Sequence, residues 1–203
     1  MNRDMKKHNA SKFFAVAISI ALLSSPLFAS DFSGQTLNKR SFQRKAVDNF
    51  NFENANADSS SFQNCYGGGA SFENASLVGA RFNNAQLNDA NFQGANLTTA
   101  QFKSSFLLNV DFREADLSNA DLRNATFTNG RFSEANYKEA TLSGAKFTED
   151  ADFSDADFTD ASLENIDLTG ANFKRTNLTR ANLKGLSLPG GNFSGSIFNS
   201  TRL

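Results

Sequence analysis

Histidine, cysteine, proline and tryptophan are nearly or wholly missing from this chain. It has one histidine, one cysteine, two prolines and no tryptophan among 203 residues. The histidine is His8, so the chain beyond its N-terminal segment has no imidazole for general-base catalysis or for binding a metal. Serine–histidine and cysteine–histidine pairs, phosphate-binding loops and dinucleotide-binding glycine motifs are also lacking. The sequence therefore predicts no enzyme, no catalytic residue, no metal site and no cofactor.

Charge of either sign is not in large excess. The chain has 20 basic and 21 acidic residues. Four of the basic residues and one acidic residue lie in the first 29 positions, namely Arg3, Lys6, Lys7, Lys12 and Asp4. The remainder is weakly acidic as a whole, whereas a protein that binds nucleic acid needs basic residues to neutralise phosphate. We therefore expect no nucleic-acid partner.

The N-terminal segment has the three parts of a secretory signal peptide. Residues 1–12 are polar and basic, and an apolar run from Phe13 to Leu23 follows. Small residues then lead to a cleavage site, which we place after Ala29 or after Ser30. The apolar run has about half the length of a membrane-spanning helix, although an uncleaved anchor is the alternative. We predict export to a periplasm or to the exterior, with a thylakoid-type lumen also open, and no stable membrane insertion after cleavage.

Of the 22 phenylalanines, 17 occupy one position of a repeat of five residues. From Phe32 onward, an apolar residue occupies every fifth position, and after one inserted residue between Phe147 and Phe153 the series continues to Leu203. Two positions before most of these centres is a small residue, usually alanine, and the residue between the two is often Asn or Asp. We call the large apolar position of each repeat its centre. Beyond the N-terminal segment, only two phenylalanines, Phe50 and Phe106, do not occupy a centre.

A period of five is neither the 3.6 of a helix nor the 2 of a plain strand. It fits a chain that is briefly extended, with two alternate side chains pointing inward, and that then turns a corner. The two corner positions should favour residues that tolerate turns. Those are found at Gly79, Asn84, Asp89, Gly94, Asn119, Asn124, Gly144 and Gly170.

Residues twenty positions apart resemble each other, which predicts four sides per coil. One such column consists of phenylalanine throughout, if the insertion is counted: Phe32, Phe52, Phe72, Phe92, Phe112, Phe132, Phe153, Phe173 and Phe193. Stacked identical residues would allow each coil to template the next. The insertion is expected to be a one-residue bulge near residues 148–152 that preserves this phase.

The pattern Ala-(Asn/Asp)-(Leu/Phe) followed by two polar residues resembles the pentapeptide-repeat family. The resemblance is specific over residues 70–203 and weaker over residues 30–69, where the small-residue positions include Arg40, Lys45 and Phe50. It implies an all-β fold, a right-handed quadrilateral parallel β-helix of one domain. About nine coils spaced by about 4.8 Å would form a rod roughly 40 Å long.

Two short segments stand out from the repeat. Cys65 occupies a small inward position, so we interpret it as a buried filler, although a lone cysteine in an exported protein could also pair between chains. The following Gly67, Gly68 and Gly69 predict a bulge or a flattened side, or else a surface recess.

The densest charge lies after the insertion, and its aspartates form a candidate interaction patch: Asp150, Asp152, Asp155, Asp157 and Asp160. A calcium site is the alternative, but the segment lacks the glycine and the final glutamate of an EF-hand, and its aspartates are spread over different sides. We interpret the run as a solvated acidic face.

The repeat continues to the last residue of the sequence, so its final coil would expose apolar positions. We expect a second molecule to cover them in an end-to-end homodimer through Leu188, Phe193, Phe198 and Leu203, or else a monomer with a frayed last turn.

These features together favour a non-enzymatic, exported structural or protein-binding solenoid that presents a rigid polar surface to an unknown protein partner. The alternative, implied by the family resemblance, is a DNA mimic that inhibits a type II topoisomerase. The signal peptide and the lack of a C-terminal helical dimerisation module in the sequence speak against it.

Overall fold

The chain winds into a parallel β-helix with four sides. A computed structural model describes residues 30–148 and 151–203, so the predicted signal peptide and Asp150 lie outside the described residues. Asp31 pairs with Asn51 and Asn51 with Ser71, and this parallel pairing at a spacing of 20 residues continues along the rod. Within the described ranges the chain forms bridges, strands and turns without a helix. The right-handed quadrilateral β-helix expected from the sequence is confirmed.

We number the four sides by their inward-facing centres in the first coil, which are Phe32, Leu37, Phe42 and Val47 for sides 1 to 4. Most sides pair through single-residue bridges. Among the described residues, side 4 alone contains longer strands, which are β1 (Phe106–Leu108), β2 (Thr126–Thr128) and β3 (Lys146–Phe147). They form a parallel sheet in the order β1-β2-β3. Side 4 is therefore the most extended wall of the described coil.

The core is a set of stacked aromatic and aliphatic columns. On side 1, the rings of Phe52 and Phe72 lie 4.8 Å apart and are inclined by 1°. The ring of Phe62 on side 3 meets Phe72 edge to face, with centroids 5.3 Å apart and planes at 90°. Offset stacks and edge-to-face pairs are the two favourable arrangements of aromatic rings, and each adds about 0.5–1.5 kcal/mol beyond the burial of its area. The columns thus satisfy both arrangements at once.

Each described corner places its second residue in the left-handed region of the backbone. Asn74 has a φ of 54°, and the N–H of Ala75 closes the turn by donating to the carbonyl of Phe72 at 3.0 Å. The eight corner residues expected from the sequence all have positive φ values. Long side chains such as Glu114 and Arg175 occupy the same position, with φ values of 60° and 58°. For such residues this conformation costs about 1–2 kcal/mol, so the coil imposes it against local preference.

The insertion leaves three sides in phase and opens the fourth. Across it, Arg131 pairs with Asp152 and Thr141 with Ser162, both at a spacing of 21 residues. On side 4, among the described residues, no bridge joins Lys146 to a residue of the following coil. The separation creates a cleft of about 600 Å³, lined by Asn129, Phe147, Thr148, Asp167 and Thr169.

The glycine run does not form the expected bulge. Tyr66, directly before it, pairs with Ala46 and Gln86 at the ordinary spacing. A Cβ atom on Gly67 would lie 2.8 Å from the Cδ2 of Leu87 and 2.8 Å from a methyl group of Val47. The side chains of the two neighbouring coils therefore fill the space that Gly67 leaves, and the backbone has no reason to deviate.

Candidate interaction surfaces

Most outward-facing Asn and Asp side chains are engaged in turns. The residue between the two inward positions accepts, through its Oδ1, the N–H two residues later. Asn91 accepts from Gln93 at 2.9 Å, and Asp111 accepts from Arg113 at 3.1 Å. Such a bond fixes the entry into the corner, which explains why the repeat favours Asn and Asp at this position. The main role of these side chains is therefore to stabilise the turns of the coil, although they also lie on its surface.

Two aspartates of the predicted acidic patch follow the same rule. Asp152, on side 1, accepts the N–H of Ser154 at 3.0 Å and the amide of Asn172 at 2.9 Å. Asp157, on side 2, accepts both the N–H and the hydroxyl of Thr159, at 2.9 and 2.6 Å. Their carboxylates are already hydrogen-bonded within the coil.

The other two described aspartates of the patch form ion pairs with the next coil. The Nε of Arg175 donates to Asp155 at 2.6 Å, and the Nε of Arg180 donates to Asp160 at 2.7 Å. These hydrogen bonds hold the pKa of each carboxyl below its ordinary value. Asp155 lies at the corner between sides 1 and 2, and Asp160 at the corner between sides 2 and 3. The structure thus does not bring the acidic run together as one patch.

A cation site is not evident in the described part of the chain. Within residues 30–148 and 151–203, no group of three or more His, Cys, Asp or Glu side chains is placed to hold a metal ion. In the same ranges, no helix has the length and apolar character needed to cross a membrane.

The last coil exposes apolar side chains at the C-terminal end. Phe198 is 46% exposed and Leu203 is 93% exposed, while Leu188 and Phe193 are half-buried against the core. Phe193 stacks on Phe173 with a centroid distance of 5.2 Å. The four residues proposed for a dimer end therefore do lie at one end of the rod.

Three other apolar side chains are exposed on side 4, far from that end. They are Tyr66, Phe106 and Leu108, with exposed fractions of 54%, 55% and 37%. Tyr66 and Phe106 belong to one outward ladder, with Gln86 between them. The sequence identified Phe106 as off the repeat but did not connect it with Tyr66. The signal is an aromatic residue at the outward position, which elsewhere is mostly polar.

Cys65 is buried and inert. Its side chain lies wholly inside the core. Burial raises the pKa of the thiol to about 12, so almost none of it is thiolate at neutral pH. The interpretation of Cys65 as a small core filler is confirmed.

The coil, the stacked core and the Asx-stabilised corners define a class of protein, a four-sided parallel β-helix built from five-residue units. The family description "Pentapeptide repeat region" matches residues 35–112. The description "Pentapeptide repeats (8 copies)" matches residues 100–129, 139–175, 151–185 and 176–203. The chain belongs to the pentapeptide-repeat family.

Several solved structures are similar in fold. HetL, a pentapeptide-repeat protein involved in heterocyst differentiation regulation in the cyanobacterium Nostoc sp. strain PCC 7120, is 19% identical over 93% of both chains, with a TM-score of 0.39. QnrB1, a plasmid-mediated fluoroquinolone resistance protein, is 17% identical over 79% of this chain and 90% of its own, with a TM-score of 0.33. A pentapeptide-repeat protein from the thylakoid lumen of Arabidopsis thaliana is 23% identical over 66% of this chain and 69% of its own, with a TM-score of 0.25. At these values the similarity concerns the fold alone. No curated protein matches the chain.

Proposed function

We propose that this protein is an exported, non-enzymatic solenoid that presents a rigid outer surface to a protein partner. The observation that carries the proposal is that each position of the five-residue repeat has a distinct structural role. Inward positions are packed, corner positions hold the turns, and the outward ladders repeat at the spacing of about 4.8 Å set by parallel strand pairing. Such a scaffold offers a long, preorganised surface, and binding to it requires little ordering of the solenoid.

The proposal of export depends on the N-terminal segment of the sequence. The charged start, the short apolar run and the small residues before Ser30 support it. The absence of histidine after that segment supports a role other than catalysis.

The test combines localisation with capture. The full chain carrying a C-terminal tag should be found in the exported fraction, with residues 1–29 removed from the mature protein. In-cell crosslinking of that fraction should yield a discrete protein adduct. A variant in which Lys6, Lys7 and Lys12 are replaced by Glu, which destroys the charged start, is the control and should remain inside the cell. Retention of the unaltered protein in the cytoplasm would contradict the proposal.

The mimicry alternative requires a continuous acidic surface. Here the acidic corner residues Asp155 and Asp160 are paired with arginines, and the basic residues of the first coils are gathered on one side. A supercoiling assay with a purified type II topoisomerase distinguishes the protein-binding solenoid from the DNA mimic. We expect no inhibition by the mature protein, and inhibition at micromolar concentration would favour the mimic.

A further inference from the structure

The charges of the first four coils are separated by side. Residues 30–110 contain six basic and six acidic residues. Five of the six basic residues lie on side 3 or at its two corners, and the sixth, Lys45, opens side 4 directly after the corner, whereas five of the six acidic residues lie elsewhere. The basic set is Lys39, Arg40, Arg44, Lys45, Arg81 and Lys103. A rod that is weakly acidic overall therefore has one strongly basic wall.

These cations form no salt bridges among the described residues. Among the described residues, none of the six lies within salt-bridge distance of a carboxylate, whereas Arg113, Arg123, Arg175 and Arg180, further along the rod, each do. Arg44, Arg81 and Lys103 are exposed. Exposed cations in the first, third and fourth coils, none of them in a salt bridge, create a local positive potential that would attract an anionic surface.

The exposed apolar residues lie beside this basic wall. Phe106 follows Lys103 around the corner between sides 3 and 4, and Tyr66 lies on the same ladder two coils earlier, about 10 Å along the rod. The acidic residues of side 4 in these coils, Asp48 and Asp89, lie at its far corner. Asp48 accepts the N–H of Gly68, and Asp89 accepts the amide of Asn109. We name the set formed by Arg44, Tyr66, Arg81, Lys103 and Phe106 the basic-aromatic edge.

We propose that the basic-aromatic edge docks on the surface of an anionic phospholipid bilayer, with its cations at the lipid phosphates and its exposed rings in the headgroup layer. Basic residues next to an anionic membrane each strengthen partitioning by about fivefold. Aromatic side chains are favoured at the same depth because their rings are apolar and their edges tolerate water.

The charge and the size of the apolar patch favour a lipid surface over a protein partner at this edge. The two rings are separated by Gln86, so the three exposed apolar side chains do not make a patch comparable with the about 800 Å² per partner of a stable protein interface. A straight rigid edge with cations spaced along it instead matches a planar array of phosphates. Docking by this edge leaves the other sides free, so it goes beyond the proposed protein-binding function and does not depend on it.

The test is flotation of the mature protein with vesicles of phosphatidylcholine, either pure or containing about one third phosphatidylglycerol. We expect binding to the anionic vesicles alone, lost when salt rises from about 0.1 M to about 1 M because the Debye length falls from about 10 Å to about 3 Å. The double variant Arg44→Gln/Lys103→Gln should weaken binding about twentyfold. The double variant Tyr66→Ser/Phe106→Ser should weaken it at least about tenfold.

A charge-matched control is available at the corners between sides 1 and 2 and between sides 2 and 3, away from the basic-aromatic edge. Lys138→Gln/Lys174→Gln removes the same number of charges away from the edge, and its binding should change by less than about twofold. All substituted side chains are exposed, so urea midpoints should be unchanged and misfolding can be checked directly. Failure of the unaltered protein to float with anionic vesicles at low salt, or equal losses in the edge and control variants, would overturn the proposal. Either result would leave the crosslinking test of the protein partner unaffected.

Discussion

Replacing Phe153 by Ala measures how well the core is continuous across the insertion. Phe153 is 1% exposed, and its ring lies between Phe132 and Phe173 at centroid distances of 4.9 and 5.1 Å. Phe147 and Phe158 meet it at 5.2 and 5.4 Å. Truncation removes the buried ring and leaves a cavity that its aromatic neighbours cannot close. We therefore expect a loss of about 3–5 kcal/mol in the free energy of unfolding.

The assay is urea denaturation of the mature protein, followed by circular dichroism, with Phe106→Ala as the matched control. The control removes the same atoms from a side chain that is 55% exposed and should change stability by less than about 0.5 kcal/mol. Because coils in a solenoid interact mainly with their neighbours, the loss at Phe153 should also separate the unfolding of the two halves of the rod. Equal effects of the two substitutions would refute the assignment of Phe153 to a continuous core.

Four further results are expected. Cys65 should react with a thiol reagent at pH 8 only after denaturation, because burial raises its pKa to about 12; rapid reaction of the folded protein would contradict its burial. Hydrogen bonds from Arg123 lower the pKa of Asp121, so stability from this pair should be present above the ordinary aspartate pKa and be lost as pH falls through the lowered value, and a carboxyl titration by NMR in Arg123→Ala should show the pKa rising. Gly130→Ala should destabilise by about 1–3 kcal/mol, since its Cβ would lie 2.3 Å from the ring of Phe132, and a stabilised variant in a thermal melt would be the opposite result. The 203-residue chain should sediment as a dimer at tens of micromolar and Phe198→Asp as a monomer, whereas monomers in both cases would exclude the end-to-end contact.

The coil itself was predictable because the inward-facing positions of the repeat can be identified directly in the sequence. A repeat of five with one large and one small apolar residue leaves little choice of geometry, and the similarity of residues twenty apart set the number of sides. The buried state of Cys65 followed from its slot alone. In each case the packing of the core determines which residue sizes an inward position accepts, so the sequence pattern directly reports the packing.

The corners and surfaces were less predictable because their residues are chosen by several constraints at once. Arg175 adopts a positive φ that its side chain does not favour, and the reason lies in the coil and in its pair with Asp155 one turn away. Asp152 and Asp157 looked like a surface patch in the sequence, yet each is used by its own turn. A list of charged residues does not show which of them are engaged in this way.

Core packing constrains the total side-chain volume inside each coil, in addition to the residue size at each repeat position. The coil that begins at Gly130 has aromatic rings at three of its four centres, those of Phe132, Tyr137 and Phe147. In this coil the small inward position preceding Phe132 is Gly130, where alanine is the most frequent residue in the other coils. The preceding coil begins with Val110 and has two rings.

The coil of residues 50–69 shows the converse. Its centres include Ala57 and Gly67, and Phe50 places a ring at an inward position that elsewhere mostly holds alanine, 5.8 Å from Phe32. In both coils, exceptions that add inward volume and exceptions that remove it occur together. Close packing explains this, since a coil of fixed perimeter tolerates neither a void nor an extra ring. Tyr66 and Phe106 are exceptions that point outward, so core packing does not account for them. Such residues are where a selected surface should be sought in other chains of this kind.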